Sequence, residues 1–514
     1  MFKYKWLADS YGSYFYHAHS RGQIDDGAYG PIIIKPKAGI AKPFDRISAF
    51  EVELLEEAEA AVKPLLLTDW RHRTSDQTWN DQLASGIESA ICMDSLLVNG
   101  KGAVKCLSRE EIDAFVDPSI APILEANNLN YTNKGYADHR AFEFLADGVS
   151  CLPPQFFQLT FANSSAFNID ALPEEVFEIC MPTEGSREVI QAPRDKKWYA
   201  LDIISSAGIS TFAFSIDEHP LWVYAVDGHY IEPLKVDVLT VANGDRYSVF
   251  IQLDKSAGNY GIRVASLAAT QIIDTTAVLA YSGGYEVNYC GNPTDVVSSM
   301  PSIDLGGAPT FSNATRFDQA LMESFPPQFP QPAPEVSQTF KLMMGTVENS
   351  YTWALNSTPL AHPMLDDIIE PLLYQQPDAN NPGGNITIVT KNDTWVDLIF
   401  ITTQLQQPPH PIHKHSNGVF ILGAGEGMFD WTSVAQAAVA IPQNFNLVTP
   451  AYRDGFVVPP SGLKPTWLAV RYQVVNPGPF MLHCHIQSHL NGGMSMVILD
   501  GVDEWPQVPE EYRN

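Results

Sequence analysis

The sequence predicts an all-β chain built from β-sandwich units, the first of them incomplete. Three observations carry this. Short apolar or aromatic runs recur, closed by Gly, Asp or Asn: "PLLLTDW", "SLLVNG", "KWYALDII", "TFAFSID", "LWVYAVDG" and "GNYGIRVAS" among them. Gly (34) and Pro (38) are frequent, as many short strands joined by turns require. Helix signals are few and short. The length, 514 residues, corresponds to about three domains at roughly 100–200 residues each.

The elements follow in order. "YGSYFYHAHS" (11–20) is aromatic and alternating, and "AYGPIIIKP" (28–36) is a β-branched run, so the chain opens on strands. Residues 41–63 read as a linker carrying one short acidic helix. Strand-and-turn rhythm then fills 64–300, a β-sandwich pattern. "FPPQFPQPAPE" marks a Pro-rich connection within 301–336, and strands return over 337–514. The expected division is 1–45 as the remnant of a first sandwich, 46–300 as a second with its preceding linker, 301–336 as linker and 337–514 as a third. A sandwich typically takes about 100 residues, so the first is short.

Composition excludes several classes. Net charge is −28, and a surface so acidic repels phosphate backbones, which argues against a nucleic-acid partner. No run of eighteen apolar residues appears, so no helical span of a membrane is expected. The cysteines are Cys92, Cys106, Cys151, Cys180, Cys290 and Cys484. Sequons at Asn130, Asn163, Asn313, Asn356, Asn385 and Asn392 suit a secreted glycoprotein. The opening "MFKYKWLADS" has no signal-peptide pattern.

Chemistry concentrates in three stretches: "YHAHS" (16–20), "HPIHKHSNG" (410–418) and "HCHIQSHLNGGM" (483–494), which hold eight of the 13 histidines. Alone, each has a bland account: surface or core histidines for the first, a zinc-type site or loop for the second, a loose zinc motif for the third. Together they point to metal. In a strand, i and i+2 share a face. His17 and His19, His413 and His415, and His483 and His485 therefore form three same-face pairs that can converge on one multi-metal site. Cys484 faces the other way, where His410 and His489 can reach it, with Met494 ten residues on. Two imidazoles, a thiolate and a weak axial thioether are the ligands of a blue-copper electron-transfer site.

These motifs resemble the multicopper oxidases: laccases, ferroxidases, ascorbate oxidases and fungal pigment oxidases. "DGAYGPIII", "LLLTDW", "SLLVNGKG", "FSIDEH" and "NGDRYSVF" extend the resemblance over nearly the whole chain, and "HPIHKHSNG" looks most like the fungal pigment-type enzymes. The resemblance implies three cupredoxin-like Greek-key sandwiches. It implies a type 1 copper on His410, Cys484 and His489 with Met494 axial. It assigns His413 to a type 2 copper, and His17, His19, His415, His483 and His485 to a type 3 pair. The implied activity is laccase-like: single electrons from phenols or pigment precursors, taken near a partly exposed edge of His489, with four of them reducing O2 to water. Cys484, His483 and His485 would link the two centres. An extracellular or cell-wall monomer is expected.

The chain also departs from the family pattern. The family's His-Trp-His-Gly motif has no counterpart here, which leaves the type 2 copper one histidine and the type 3 pair five. We read this as an absence of about 80–100 residues, judged from sandwich size. The loop "SSAGISTFA" lacks the carboxylate that many laccases use to hold a phenol; Asp217 and Glu218 just beyond read as surface turn residues. Gln487 stands where some relatives carry a proton-relaying Glu. Lys414 reads as a partly exposed residue, and Met496 as packing. Two alternatives stay open: a ferroxidase, and a truncated copper-binding protein with impaired O2 reduction.

Overall fold

The computed structural model describes residues 3–512 apart from 9, 21, 135–148, 161–166, 178–179, 181, 194, 282–298, 328–334, 361–371, 375–383 and 405. Asn163 and Cys290 lie outside the described residues.

The all-β expectation holds, and the same construction appears twice. In the sandwich within 46–300 a six-stranded sheet runs in the order His229–Val236, Leu221–Val226, Arg246–Gln252, Trp198–Ser205, Lys63–Trp70, Ser95–Val98. Its five-stranded partner runs Leu239–Val241, Phe212–Ile216, Asn259–Ser266, Asp274–Tyr281, Val189–Ala192. Farther along, a second six-stranded sheet orders Trp353–Ala354, Gln338–Thr346, Trp395–Thr402, Thr466–Gln473, Val419–Glu426, Ala451–Arg453. Its partner has five strands: Thr387–Val389, Ser495–Asp500, Gly478–Cys484, His410–Lys414, Gly455–Val458. The early strands Gly12–His17 and Tyr29–Ile34 pair as an antiparallel hairpin.

Alternation explains the cores. Leu201, Ile203 and Val249 of one sheet are buried in the same core cluster as Phe212, Phe214 and Ile262 of its partner. Leu398, Phe400 and Val470 share that cluster with Ile412, Leu482 and Ile498. Each such side chain contributes roughly 1.5–3 kcal/mol when fully buried. The acidic helix expected within 41–63 spans Val52–Ala60. Behind it, Phe44 packs among Trp198, Tyr224, Tyr230 and Phe250. A longer helix, Ser75–Ser85, escaped the strand-focused sequence reading. Its signals are local: a Thr74–Gln77 capping box and a left-handed Gly86 after its last turn. Disulfides Cys92–Cys151 and Cys106–Cys180 staple the irregular stretch beyond it.

Two expectations about exposure are corrected. Asp217 is a turn residue but is 0% exposed. Its carboxylate accepts from Arg263 Nε (2.8 Å) and Nη2 (2.7 Å), from Ser299 Oγ (2.8 Å) and from the Ser302 amide (2.9 Å). Lys414 is likewise fully buried, not partly exposed. It does alternate away from His413 and His415, but into the sandwich core. Its Nζ lies 3.2 Å from Asp500 Oδ2 and 4.2 Å from the Tyr472 ring centroid. Asp500 also accepts from Tyr472 Oη, Thr390 Oγ1 and Asn417 Nδ2 at 2.9, 2.8 and 3.1 Å. A charge can be buried when it is paired and its remaining lone pairs are filled, and sequence alone did not disclose the partner 86 residues away.

The structure sets two stability tests. Lys414→Met leaves Asp500 charged and unpaired in the core, so urea denaturation should register a loss of about 3–5 kcal/mol. Lys414→Met with Asp500→Leu should recover most of it. Asp202 is 3% exposed and accepts from Ser248 Oγ at 2.5 Å. Burial lifts its pKa from the ordinary 3.8 to about 6. The native state therefore keeps a proton that the unfolded chain releases, and stability falls as pH rises through that window. Asp202→Asn should stabilise the protein by about 2–3 kcal/mol at pH 7 and by almost nothing below pH 4.

Candidate metal centres

The strand Gly478–Cys484 runs between His410–Lys414 on one side and Ser495–Asp500 on the other. Antiparallel register places Cys484 opposite Ile412 and His483 opposite His413. The turn after the strand is fixed by backbone bonds: His485 N donates to Pro411 O at 2.7 Å, and Gln487 N to Gly208 O at 2.8 Å. The two sides of this strand then differ completely.

On one side, His410, Cys484 and His489 form a buried group able to hold a metal ion. Cys484 Sγ lies 3.9 Å from His410 Nδ1 and 3.6 Å from His489 Nδ1. Each imidazole is held by its other nitrogen. Gln407 Oε1 is 3.1 Å from His410 Nε2, and Glu88 Oε1 is 3.3 Å from His489 Nε2. Such outer partners turn a ring and choose its tautomer. Trp353 stacks on His489 with centroids 4.0 Å apart at 27°. Met494 is 0% exposed, and its carbonyl accepts the Cys484 amide at 3.0 Å. Burial pushes the Cys484 thiol up and the His410 imidazole well down. The donors fit copper: a soft sulfur and two imidazoles in a buried site.

On the other side six imidazoles gather. The Nε2 atoms of His19 and His415 lie 3.1 and 3.2 Å from His483 Nε2, and these three form the second group able to hold a metal. His413 lies with its ring centroid 4.9 Å from His415, and His17 lies 5.2 Å from His485. Three rings are oriented by main-chain carbonyls. Nδ1 of His17 meets Ala18 O at 2.9 Å, Nδ1 of His413 meets Asp454 O at 3.0 Å, and Nδ1 of His483 meets Cys484 O at 2.8 Å. A proton on Nδ1 leaves Nε2 as the lone-pair donor. Burial, then neighbouring imidazoles, hold His415 down at about 2 and His483 and His485 well below the ordinary value. These three rings are neutral at physiological pH, as metal ligation requires.

The structure thus brings His410, Cys484 and His489 together, and separately His17, His19, His413, His415, His483 and His485. His489, expected to show a partly exposed edge, is almost wholly buried at 3% exposure. Trp353 covers its face, and Glu88 closes its Nε2 side. Glu88 was not anticipated. It is 5% exposed, accepts Ser488 Oγ at 2.5 Å and donates its own amide to Ser350 Oγ at 2.8 Å. It stands 400 positions from Ser488, so no local pattern signals it.

Comparison with known proteins agrees with this arrangement. Profiles described as multicopper oxidase match residues 1–39, 62–284 and 355–504. The laccase abr2 of Aspergillus fumigatus is 37% identical, covering 99% of this chain and 81% of that protein. The multicopper oxidase elcG of Phaeosphaeria nodorum is 36% identical over 99% and 78%. Laccase-1 of Emericella nidulans is 34% identical over 98% and 82%. Among solved structures, the Botrytis aclada laccase shares the fold at TM-score 0.58 and 20% identity, over 97% of this chain and 72% of that one. Fet3p, a multicopper oxidase that functions in iron import, does so at TM-score 0.60 and 15% identity, over 98% and 76%. With curated relatives at this identity over nearly its full length, the chain belongs to the multicopper oxidase family, copper-dependent oxidoreductases that use O2.

Proposed function

We propose a laccase-like oxidase that takes single electrons from phenolic donors, pigment precursors included, and passes them to O2. One observation carries this: Cys484 faces His410 and His489, while its sequence neighbours His483 and His485 face the other histidine cluster. His410, Cys484, His489 and Met494 would hold a type 1 copper. His413 would serve a type 2 copper, and His17, His19, His415, His483 and His485 a type 3 pair. Bound copper supplies the one-electron chemistry and the reduction of O2. The chain's own part is orientation and exclusion of water. Gln407 and Glu88 aim the two Nδ1 atoms at the sulfur, and the carbonyls of Ala18, Asp454 and Cys484 aim Nε2 atoms into the cluster. The main chain from Cys484 to either flanking histidine is a short covalent bridge between the sides. Two disulfides suit an oxidising, extracellular setting.

A second reading is oxidation of Fe(II), with electrons entering past Glu88, the buried carboxylate beside His489. Copper-loaded protein assayed for O2 uptake separates the readings. The laccase-like account expects kcat/KM for a diphenol to exceed that for Fe(II), with Glu88→Gln lowering the Fe(II) value more. A preference for Fe(II) would select the iron reading. Cys484→Ser should abolish the intense blue absorption and lower kcat by at least about a hundredfold, in line with losing a metal ligand together with its fixed geometry. A blue protein without O2 uptake would reduce the function to copper binding.

A further inference from the structure

Five charged side chains from separate parts of the fold meet beside the histidine cluster. Arg246 is 5% exposed and grips Asp454 with two bonds, Nη1 to Oδ1 at 2.8 Å and Nη2 to Oδ2 at 2.7 Å. Its Nη1 also donates to Gly244 O at 3.1 Å. Next to Asp454, Arg453 is 1% exposed. It donates to Asp227 (Nε to Oδ2, 2.9 Å) and to Asp245 (Nη2 to Oδ1, 2.6 Å). Asp227, Asp245 and Arg246 belong to the sandwich within 46–300, and Arg453 and Asp454 to the one within 337–514. The interaction ends on a candidate ligand. The Asp454 carbonyl takes the His413 Nδ1–H at 3.0 Å and the Lys414 amide at 3.1 Å. The same turn, which carries Gly244, touches the cluster directly. Gly244 has φ +84°, and a Cβ there would lie 2.8 Å from the His485 ring, so only glycine fits.

We propose that Asp454, held by Arg246, is a positioning residue of the histidine cluster, and that this pair makes metal binding there depend on docking of the two sandwiches. The carboxylate is tied to one sandwich and the carbonyl of the same residue to His413. The peptide at 454 therefore cannot rotate without breaking a bidentate pair. His413 stays with Nδ1 protonated and Nε2 free. Among the described residues, none of these five charged side chains hydrogen-bonds or ion-pairs with His410, Cys484 or His489. The inference rests on the metal reading of the histidine cluster.

The test uses the full chain loaded with Cu(II) alone, read by the blue absorption band, by the EPR signal of the non-blue copper and by competition with a chelator. Arg246→Met should weaken the most loosely held cluster copper about 10–100-fold and change its EPR splitting, with the blue band unaltered. Asp454→Asn should act in the same direction, and Arg246→Lys should recover part of the loss. Arg471→Met is the structural control. It breaks a comparable buried pair, Arg471 Nε to Asp397 Oδ1 at 2.6 Å, that touches neither centre. If Arg246→Met lowers both copper signals together, as the control does, the pair is merely structural and the proposal fails. It also fails if Arg246→Met and Asp454→Asn hold cluster copper as tightly as wild type. Wild-type protein that binds no copper would overturn the functional reading itself.

Discussion

A strand shows its side chains to two sides in turn, and everything here depends on that at His483, Cys484 and His485. The sulfur and the imidazoles are sequence neighbours yet belong to different pockets. Register sets which is which. Cys484 lies opposite Ile412, and His483 opposite His413; a slip of one residue would exchange the two sides. The sheets hold the register because the strand is central, paired along both edges.

Around that strand the protein spends polar groups on orientation. Side chains steer the rings on the sulfur side, and main-chain carbonyls steer three rings on the other. Buried ion pairs hold the supports: Lys414 with Asp500 behind the ridge that carries His413 and His415, and Arg246 with Asp454 beside it. Buried pairs add little net stability, but breaking one is costly. That asymmetry suits sites in which the rings must already point correctly when metal arrives.

Much of this was legible in the sequence, for local reasons. The strand rhythm and the i, i+2 histidine pairs need only a period of two, and Cys484 between two histidines needs nothing more to be assigned the opposite face. What was missed is non-local. Lys414 looked like an exposed lysine because Asp500 and Tyr472 are far along the chain. Asp217 looked like a surface turn because Arg263 arrives from another strand. Glu88 and Trp353 seal His489 from two distant segments, so its burial had no local signature. The helix Ser75–Ser85 is different: its capping box and closing glycine are local signals, set between strand-forming runs.

The central claim is that one strand serves two metal centres from opposite sides. Anomalous diffraction at the copper edge, from crystals of copper-loaded protein, tests it most directly. The account predicts separate copper peaks, one bounded by His410, Cys484 and His489 and at least one more bounded by His19, His415 and His483. A single peak elsewhere, or no copper within bonding distance of the Cys484 sulfur, would contradict it.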